Sequence, residues 1–312
     1  SPENMPTGAK VSKDQYTIEP GDSLLFEYAD IQFESGSVPH GAEAWRDYRY
    51  NYDAWESVWN DDQDDGIQFT FTEKGRYILK AVIGIGNHSY TVPIEIDVTD
   101  GQEPVLELSV TPYLTTLYSD GSDDDSLASI KAKNFEPNSE AGEEFIWSVE
   151  RVDNNGGNPV TVSIDSNGED NYAYLHYHLG SGTGSATFRV TLTAGAYSAT
   201  ADVPVSVVAR PGVFPTGITV PKTAYQIDPG DSITFKYADI TPVGTLPAGA
   251  TVIKDYYRDN GPWDSVESDW QDNWVKRTFN EEGRYTLMAT MQINNVYFEK
   301  QIVINVGDSD NL

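Results

Sequence analysis

The chain has 312 residues, with 49 acidic side chains against 20 basic ones, a formal charge of −29, 38% apolar and 12% aromatic content, and no cysteine. That length accommodates two or three domains, and 19 Tyr and 7 Trp supply the cores that a disordered acidic chain lacks. The charge repels phosphate backbones and anionic bilayers, so no nucleic-acid partner is expected, and the missing cysteines exclude disulfides, thiol catalysis and thiolate metal sites.

The chain opens at Ser1-Pro2-Glu3-Asn4 without an initiator Met, and reads as a mature or trimmed product. Apolar stretches such as Ala81 to Ile85 fall far short of the roughly 20 residues that span a bilayer, so contact with a membrane is expected only through an anchor already removed. Tyr16 and Ile18 alternate with polar neighbours, Pro20-Gly21-Asp22 supplies a turn, and Leu24, Phe26 and Tyr28 alternate again. Ile67, Phe69 and Phe71 lead through Glu73-Lys74-Gly75 into Tyr77, Leu79, Ala81 and Ile83, and a last strand runs from Ser89 to Val98. Strands are predicted next near Leu106 to Val110, Leu127 to Ala132, Phe145 to Val149, Tyr172 to Leu179, Ala186 to Thr193 and Tyr197 to Val208. No stretch sustains a long amphipathic helical period.

The end of the chain repeats its beginning. Residues 6 to 31 and 215 to 240 are identical at 16 of 26 positions, and Trp55, Gly75-Arg76-Tyr77 recur as Trp263, Gly283-Arg284-Tyr285. Turn-rich linkers at Asp100 to Pro104 and Arg210 to Gly212 bracket a middle segment of different sequence. Three domains follow, at 1–100, 101–210 and 211–312, the first and third being copies. About seven short strands per domain, punctuated by Gly, Pro, Asn and Asp, predict an all-β chain of three tandem immunoglobulin-like β-sandwiches.

Phe71-x3-Gly75-x-Tyr77 and Phe279-x3-Gly283-x-Tyr285, each before an alternating strand, resemble the penultimate corner of immunoglobulin-like and PKD-like bacterial surface domains. The middle segment, with Val110-Thr111-Pro112, Ile146-Trp147-Ser148 and Val190-Thr191-Leu192-Thr193-Ala194, resembles the bacterial immunoglobulin-like modules of adhesins. The resemblance implies an extracellular or cell-surface adhesion protein. A lipid-anchored outer-membrane protein of a Bacteroides-like bacterium is one such protein.

No Gly-x-Ser-x-Gly elbow, Walker loop, dinucleotide fingerprint or His-Glu-x-x-His is present, so neither an enzyme nor a cofactor is expected. His176 and His178 share a strand face but lack a visible third ligand, and are read as part of a polar aromatic face with Tyr172 and Tyr174. The acidic runs Asn60 to Gly66 and Asp120 to Asp125 offer oxygens to calcium, yet the first carries Gln63 where an EF-hand loop wants Asp or Asn and Thr72 where it wants Glu, and both are read as solvated loops.

Six of the seven tryptophans fall in equivalent segments of the two copies. Trp55 is retained as Trp263 and Trp45 becomes Ile253, so both positions are expected in the core. Trp59 aligns with Glu267, Trp270 with Asp62 and Trp274 with Gly66, so these three rings are expected on the surface. Exposed rings beside carboxylates suit sugars, whose apolar faces stack while their hydroxyls need acceptors. The candidate ligand site is therefore Trp59, or Trp270 with Trp274, aided by Asp269 and Asp272. The expected function is non-enzymatic adhesion or recognition of a protein or glycan ligand, with glycan capture for a transport system or an accessory region of a secreted hydrolase as alternatives.

Overall fold

The computed structural model describes residues 6–51, 55, 58–63, 65–101, 104–123, 125–153, 157–166, 171–260, 265–269 and 274–307. The first repeat contains β1 (Thr7–Lys10), β2 (Gln15–Ile18), β3 (Ser23–Glu27), β4 (Gln32–Ser35), β5 (Ala44–Arg49), β6 (Val58–Gln63), β7 (Gly66–Phe71), β8 (Gly75–Ile85) and β9 (His88–Val98). The middle segment contains β10 (Glu107–Pro112), β11 (Thr116–Tyr118), β12 (Asp125–Lys133), β13 (Phe145–Arg151), β14 (Val160–Asp165), β15 (Tyr172–Leu179), β16 (Gly184–Ala194) and β17 (Tyr197–Val208). The last repeat contains β18 (Ile218–Thr219), β19 (Ala224–Ile227), β20 (Ser232–Lys236), β21 (Thr241–Pro242), β22 (Val252–Asn260), β23 (Ser265–Asp269), β24 (Trp274–Thr278), β25 (Gly283–Ile293) and β26 (Val296–Val306).

The chain is all-β, built of immunoglobulin-like sandwiches. In the first repeat the sheet β2-β9-β8-β5 faces β3-β7-β6, and in the last β19-β26-β25-β22 faces β20-β24-β23. The middle sandwich packs β10-β12-β15-β14 on β11-β17-β16-β13. Each carries one parallel pair, β2 with β9, β11 with β17 and β19 with β26, in otherwise antiparallel sheets. The repeats differ from the middle sandwich at their first strand. There β1 pairs β4 and β18 pairs β21, whereas β10 pairs β12. The cause is the shared Tyr-Ala-Asp-Ile sequence, which forms a 3-10 turn at Tyr28–Asp30 and at Tyr237–Asp239 instead of continuing the strand expected through Tyr28. Its tyrosine stacks on the strand after the one it leads into, Tyr28 on Tyr48 of β5 at 5.6 Å and Tyr237 on Tyr256 of β22 at 5.9 Å.

Period-two alternation places the cores. Ile67, Phe69 and Phe71 from one sheet meet Tyr77, Leu79, Ala81, Ile83, Ile94 and Ile96 from the other, all buried. Trp55 lies among them, its ring 4.5 Å from Phe69, 5.5 Å from Phe71 and 5.6 Å from Tyr77. Trp45 departs from expectation. Three residues before inward-facing Tyr48, it falls on the outer face, where its ring covers Gly84 and its Nε1 donates to the Gly86 carbonyl at 3.3 Å. A Cβ on Gly84 would meet that ring at 2.5 Å. Its counterpart Ile253 is also exposed on the outer face.

Both corner tyrosines are buried, as their place after glycine predicts. Tyr77 donates its hydroxyl proton to the Glu73 carbonyl at 3.0 Å and Tyr285 to the Glu281 carbonyl at 2.8 Å. Tyr77→Phe should lower the unfolding free energy by about 0.5–1.5 kcal/mol, the usual net worth of one hydrogen bond. Urea titration of the full chain measures it, and an unchanged midpoint would show that this bond contributes nothing.

Candidate functional site

Trp59 sits on β6 opposite Thr70, on the face of β7 that carries Gln68 and Thr70 rather than the buried Phe69 and Phe71. It is 63% exposed, and Leu25, paired with Gln68 on the same face, is 48% exposed. Trp274 lies on the equivalent outer face of the last sandwich, half-buried, with Lys236 opposite it on β20 and Asp269 opposite it on β23. The register thus brings Trp274 and Asp269 together, while Trp59 belongs to a different sandwich. Trp270 and Asp272 lie outside the described residues, as does the side chain of Asp269.

The two copies differ here in a way that alignment alone does not reveal. Thr70 faces Trp59, but its counterpart Thr278 faces Ser265, and Glu267 faces Lys276. The β23–β24 pairing has slipped by two residues relative to β6–β7, so the structural counterpart of Trp59 is Ser265 rather than Glu267. A slip of two preserves which face each residue takes. The position remains polar in the last repeat, and folding does not require a ring there.

His176 and His178 lie on β15 with Tyr172 and Tyr174, all on the face opposite buried Ala173, Leu175 and Tyr177. Among the described residues no group of three or more potential ligands converges to hold a metal ion. The described acids of the Asp120 run serve as acceptors instead. Asp120 pairs with Arg210 at 3.1 Å, Asp123 accepts the Leu179 amide at 2.6 Å, and Asp125 accepts from Gln292 at 3.3 Å and from the Tyr297 hydroxyl.

The two bonds to Asp125 join the middle and last domains, and the junctions are what the sequence reading missed. Between the first and second sandwiches, Arg76 is buried with Nη2 on Glu95 and Nη1 on Glu143, both at 2.9 Å. Its guanidinium lies over the rings of Phe135 at 5.6 Å and Tyr197 at 5.4 Å. Burial works against this cation, and the hydrogen bond and charge of Glu95, with the charge of Glu143, overcome it and raise its pKa. Gly75 admits the junction: a Cβ there would come within 1.9 Å of the Asn134 carbonyl, which accepts the Arg76 amide at 2.9 Å. Glu136 is buried beside it. Its Oε2 accepts from Trp55 Nε1 at 3.2 Å and from the Ile78 amide at 2.6 Å, while Oε1 has no partner. Burial pushes the Glu136 carboxyl up to about 7, against the lowering pull of the Ile78 amide, the Trp55 indole and Lys80.

Between the second and third sandwiches the carboxamide of Asn295, fully buried, accepts from the Tyr118 amide at 2.6 Å and donates to the carbonyls of Tyr118 and Ser122 at 3.0 and 3.1 Å. Asn294 holds the preceding position at φ +49°. The corresponding tip of the first repeat, Gly86-Asn87, is exposed. Retention of Gly-Arg-Tyr in both copies marks a shared corner, but nothing in sequence separates Arg76, which holds a domain, from exposed Arg284. Glu136 carries no repeat signal at all.

No protein-family model matches the chain, and no curated protein matches it. Among solved structures it is similar to Drosophila OTK extracellular domains 3–5, at 10% identity over 97% of this chain and 99% of that one, with a TM-score of 0.32. Protocadherin Gamma B2 extracellular cadherin domains 3–6 match at 16% identity over 97% and 74%, with a TM-score of 0.24. An endo-fucoidan hydrolase from glycoside hydrolase family 107 matches at 12% identity and a TM-score of 0.24, and this chain spans 44% of its length. At TM-scores this low the fold is read from the strands described above, not from these neighbours.

Proposed function

We propose that the chain is a non-enzymatic extracellular surface protein of adhesion or recognition, in which hydrogen-bonded junctions hold three sandwiches and their outer sheet faces meet the ligand. The observation that carries this reading is Trp59, 63% exposed on an outer face that also carries exposed Leu25 two strands away, at a position that the sister repeat fills with a polar residue. An exposed Trp costs solubility without supporting the core, and Trp is the residue most enriched at binding hot spots. A glycan ligand is favoured over a protein one at the last repeat, where Trp274 stands between Lys236 and Asp269 in register. A ring between a donor and an acceptor matches a pyranose face and its hydroxyls.

The full chain, immobilised and screened against a glycan array and against purified extracellular-matrix proteins, tests the reading. Trp59→Ala should weaken capture by about 2 kcal/mol or more, roughly 30-fold, while changing unfolding free energy by less than about 0.5 kcal/mol. Equal capture by Trp59→Ala and Trp274→Ala variants would remove the outer faces as the site. Turnover of any arrayed glycan would remove the non-enzymatic assignment.

A further inference from the structure

We propose that the cleft between the first and second sandwiches is a second binding site, for a short neutral saccharide, independent of the outer-face tryptophans. The cleft holds about 360 Å³, with walls from both domains, and lies at the lower end of the range of about 300–1,000 Å³ typical of small-molecule sites, which favour domain interfaces.

Its origin lies in a difference between the copies. In the last repeat β22 runs on to Asn260 and pairs with β25 as far as Thr286. In the first, β5 stops at Arg49 opposite Lys80, so among the described residues no strand pairs with the edge of β8 at Ile78, the counterpart of Thr286. The middle domain occupies part of that edge by giving the Glu136 carboxylate to the Ile78 amide at 2.6 Å. The remainder is the cleft.

The lining selects the ligand class. The first domain contributes Arg49, Asn51 and Lys80, and the second contributes Glu136, Glu144 and Asn171. Lys80 Nζ reaches Ser139 Oγ at 3.3 Å, so groups of both domains lie within the span of one small molecule. An anion would meet Glu136 and Glu144, and a cation would meet Arg49 and Lys80. A neutral ligand whose every hydroxyl both donates and accepts uses the two sets at once. Tyr50 and Phe145 add apolar wall for the C–H face of a sugar ring. Carboxylate and amide groups of this kind fix orientation, and the apolar walls supply the burial.

Saturation-transfer NMR on the full chain with millimolar lactose, cellobiose, maltose and xylobiose tests the site. Transfer to at least one disaccharide is expected, with affinity falling about tenfold in Lys80→Ala and in Glu144→Ala and unchanged in Lys300→Ala, an exposed position on the last repeat. Should Lys80→Ala melt early, Glu144→Ala decides alone, because Glu144 is exposed. Absence of transfer to all four sugars overturns the proposal, as does binding that survives both cleft variants. Binding lost only in Trp59→Ala would overturn it too, while leaving the outer-face reading intact.

Discussion

Replacing Arg76 by Met should destabilise the first and second sandwiches together by about 3 kcal/mol. Removing one member of a buried ion pair costs about 3–5 kcal/mol because the partner charges remain. The lower end applies here because Glu95 and Glu143 keep about a fifth of their side-chain surface in water, at 22% and 20% exposed. The variant also loses the cation over Phe135 and Tyr197. Arg76→Lys keeps the charge but cannot reach two carboxylates through a planar fork, so it should fall between. Calorimetry should show the first two domains unfolding in separate transitions in Arg76→Met and closer together in the native chain. A change below about 0.5 kcal/mol, typical of surface positions, would mean the junction does not hold the domains.

Glu136 makes the same junction dependent on pH. Its folded pKa is about 7 against an ordinary value of 4.5, so the folded state binds the proton more tightly than the unfolded one. The stability it contributes is therefore full below about 4.5, falls as pH rises, and is lost by the time pH has passed 7. Each unit of difference corresponds to about 1.4 kcal/mol. The charged groups around it are Lys80 on the opposite, first-domain wall of the cleft, Arg76 with its two carboxylates, and Glu144. Arg76 stays ionised throughout, so the slope between pH 5 and 8 belongs chiefly to Glu136. Glu136→Gln, isosteric with the protonated form, still offers an acceptor to Trp55 and Ile78. It should flatten the profile and leave the junction more stable than the native one at pH 8. Unfolding curves across that interval check this, and parallel profiles for the two proteins would show that Glu136 does not titrate there.

How much of this was legible beforehand depends on which force places each residue. The strands through Ile67, Phe69 and Phe71 and through Tyr77, Leu79 and Ala81 were readable because alternation reports burial directly. So were the corner tyrosines, since glycine and tyrosine at fixed spacing define a local geometry. Trp45 was misplaced because substitution by Ile253 looks like core, yet an apolar residue can also lie flat on an outer face over a glycine. Strand β14, where Val160, Val162 and Ile164 alternate with polar residues between turn-rich segments, carries the same signal although it is absent from the predicted strands, and the three-residue β11 is too short to show a period. Glu136, Arg76 and Asn295 were invisible in principle. Their partners across the domain boundaries lie 58 to 177 residues away, and no local pattern encodes a contact made across a domain boundary.

The parallel pairs have a mechanical meaning. In each sandwich an early strand lies alongside the last one, Gln15 to Ile18 beside Glu95 to Val98, Thr116 to Tyr118 beside Ser206 to Val208, and Ala224 to Ile227 beside Val303 to Val306. Tension drawn through the chain pulls the first strand of such a pair toward its start and the last strand toward its end, in opposite directions along a common axis. The bonds between them are then sheared together and cannot be opened one at a time. A protein tethered at one end and holding a ligand at the other would carry load on these three short ladders, and its lifetime under force would be set by the rate at which the first of them gives way.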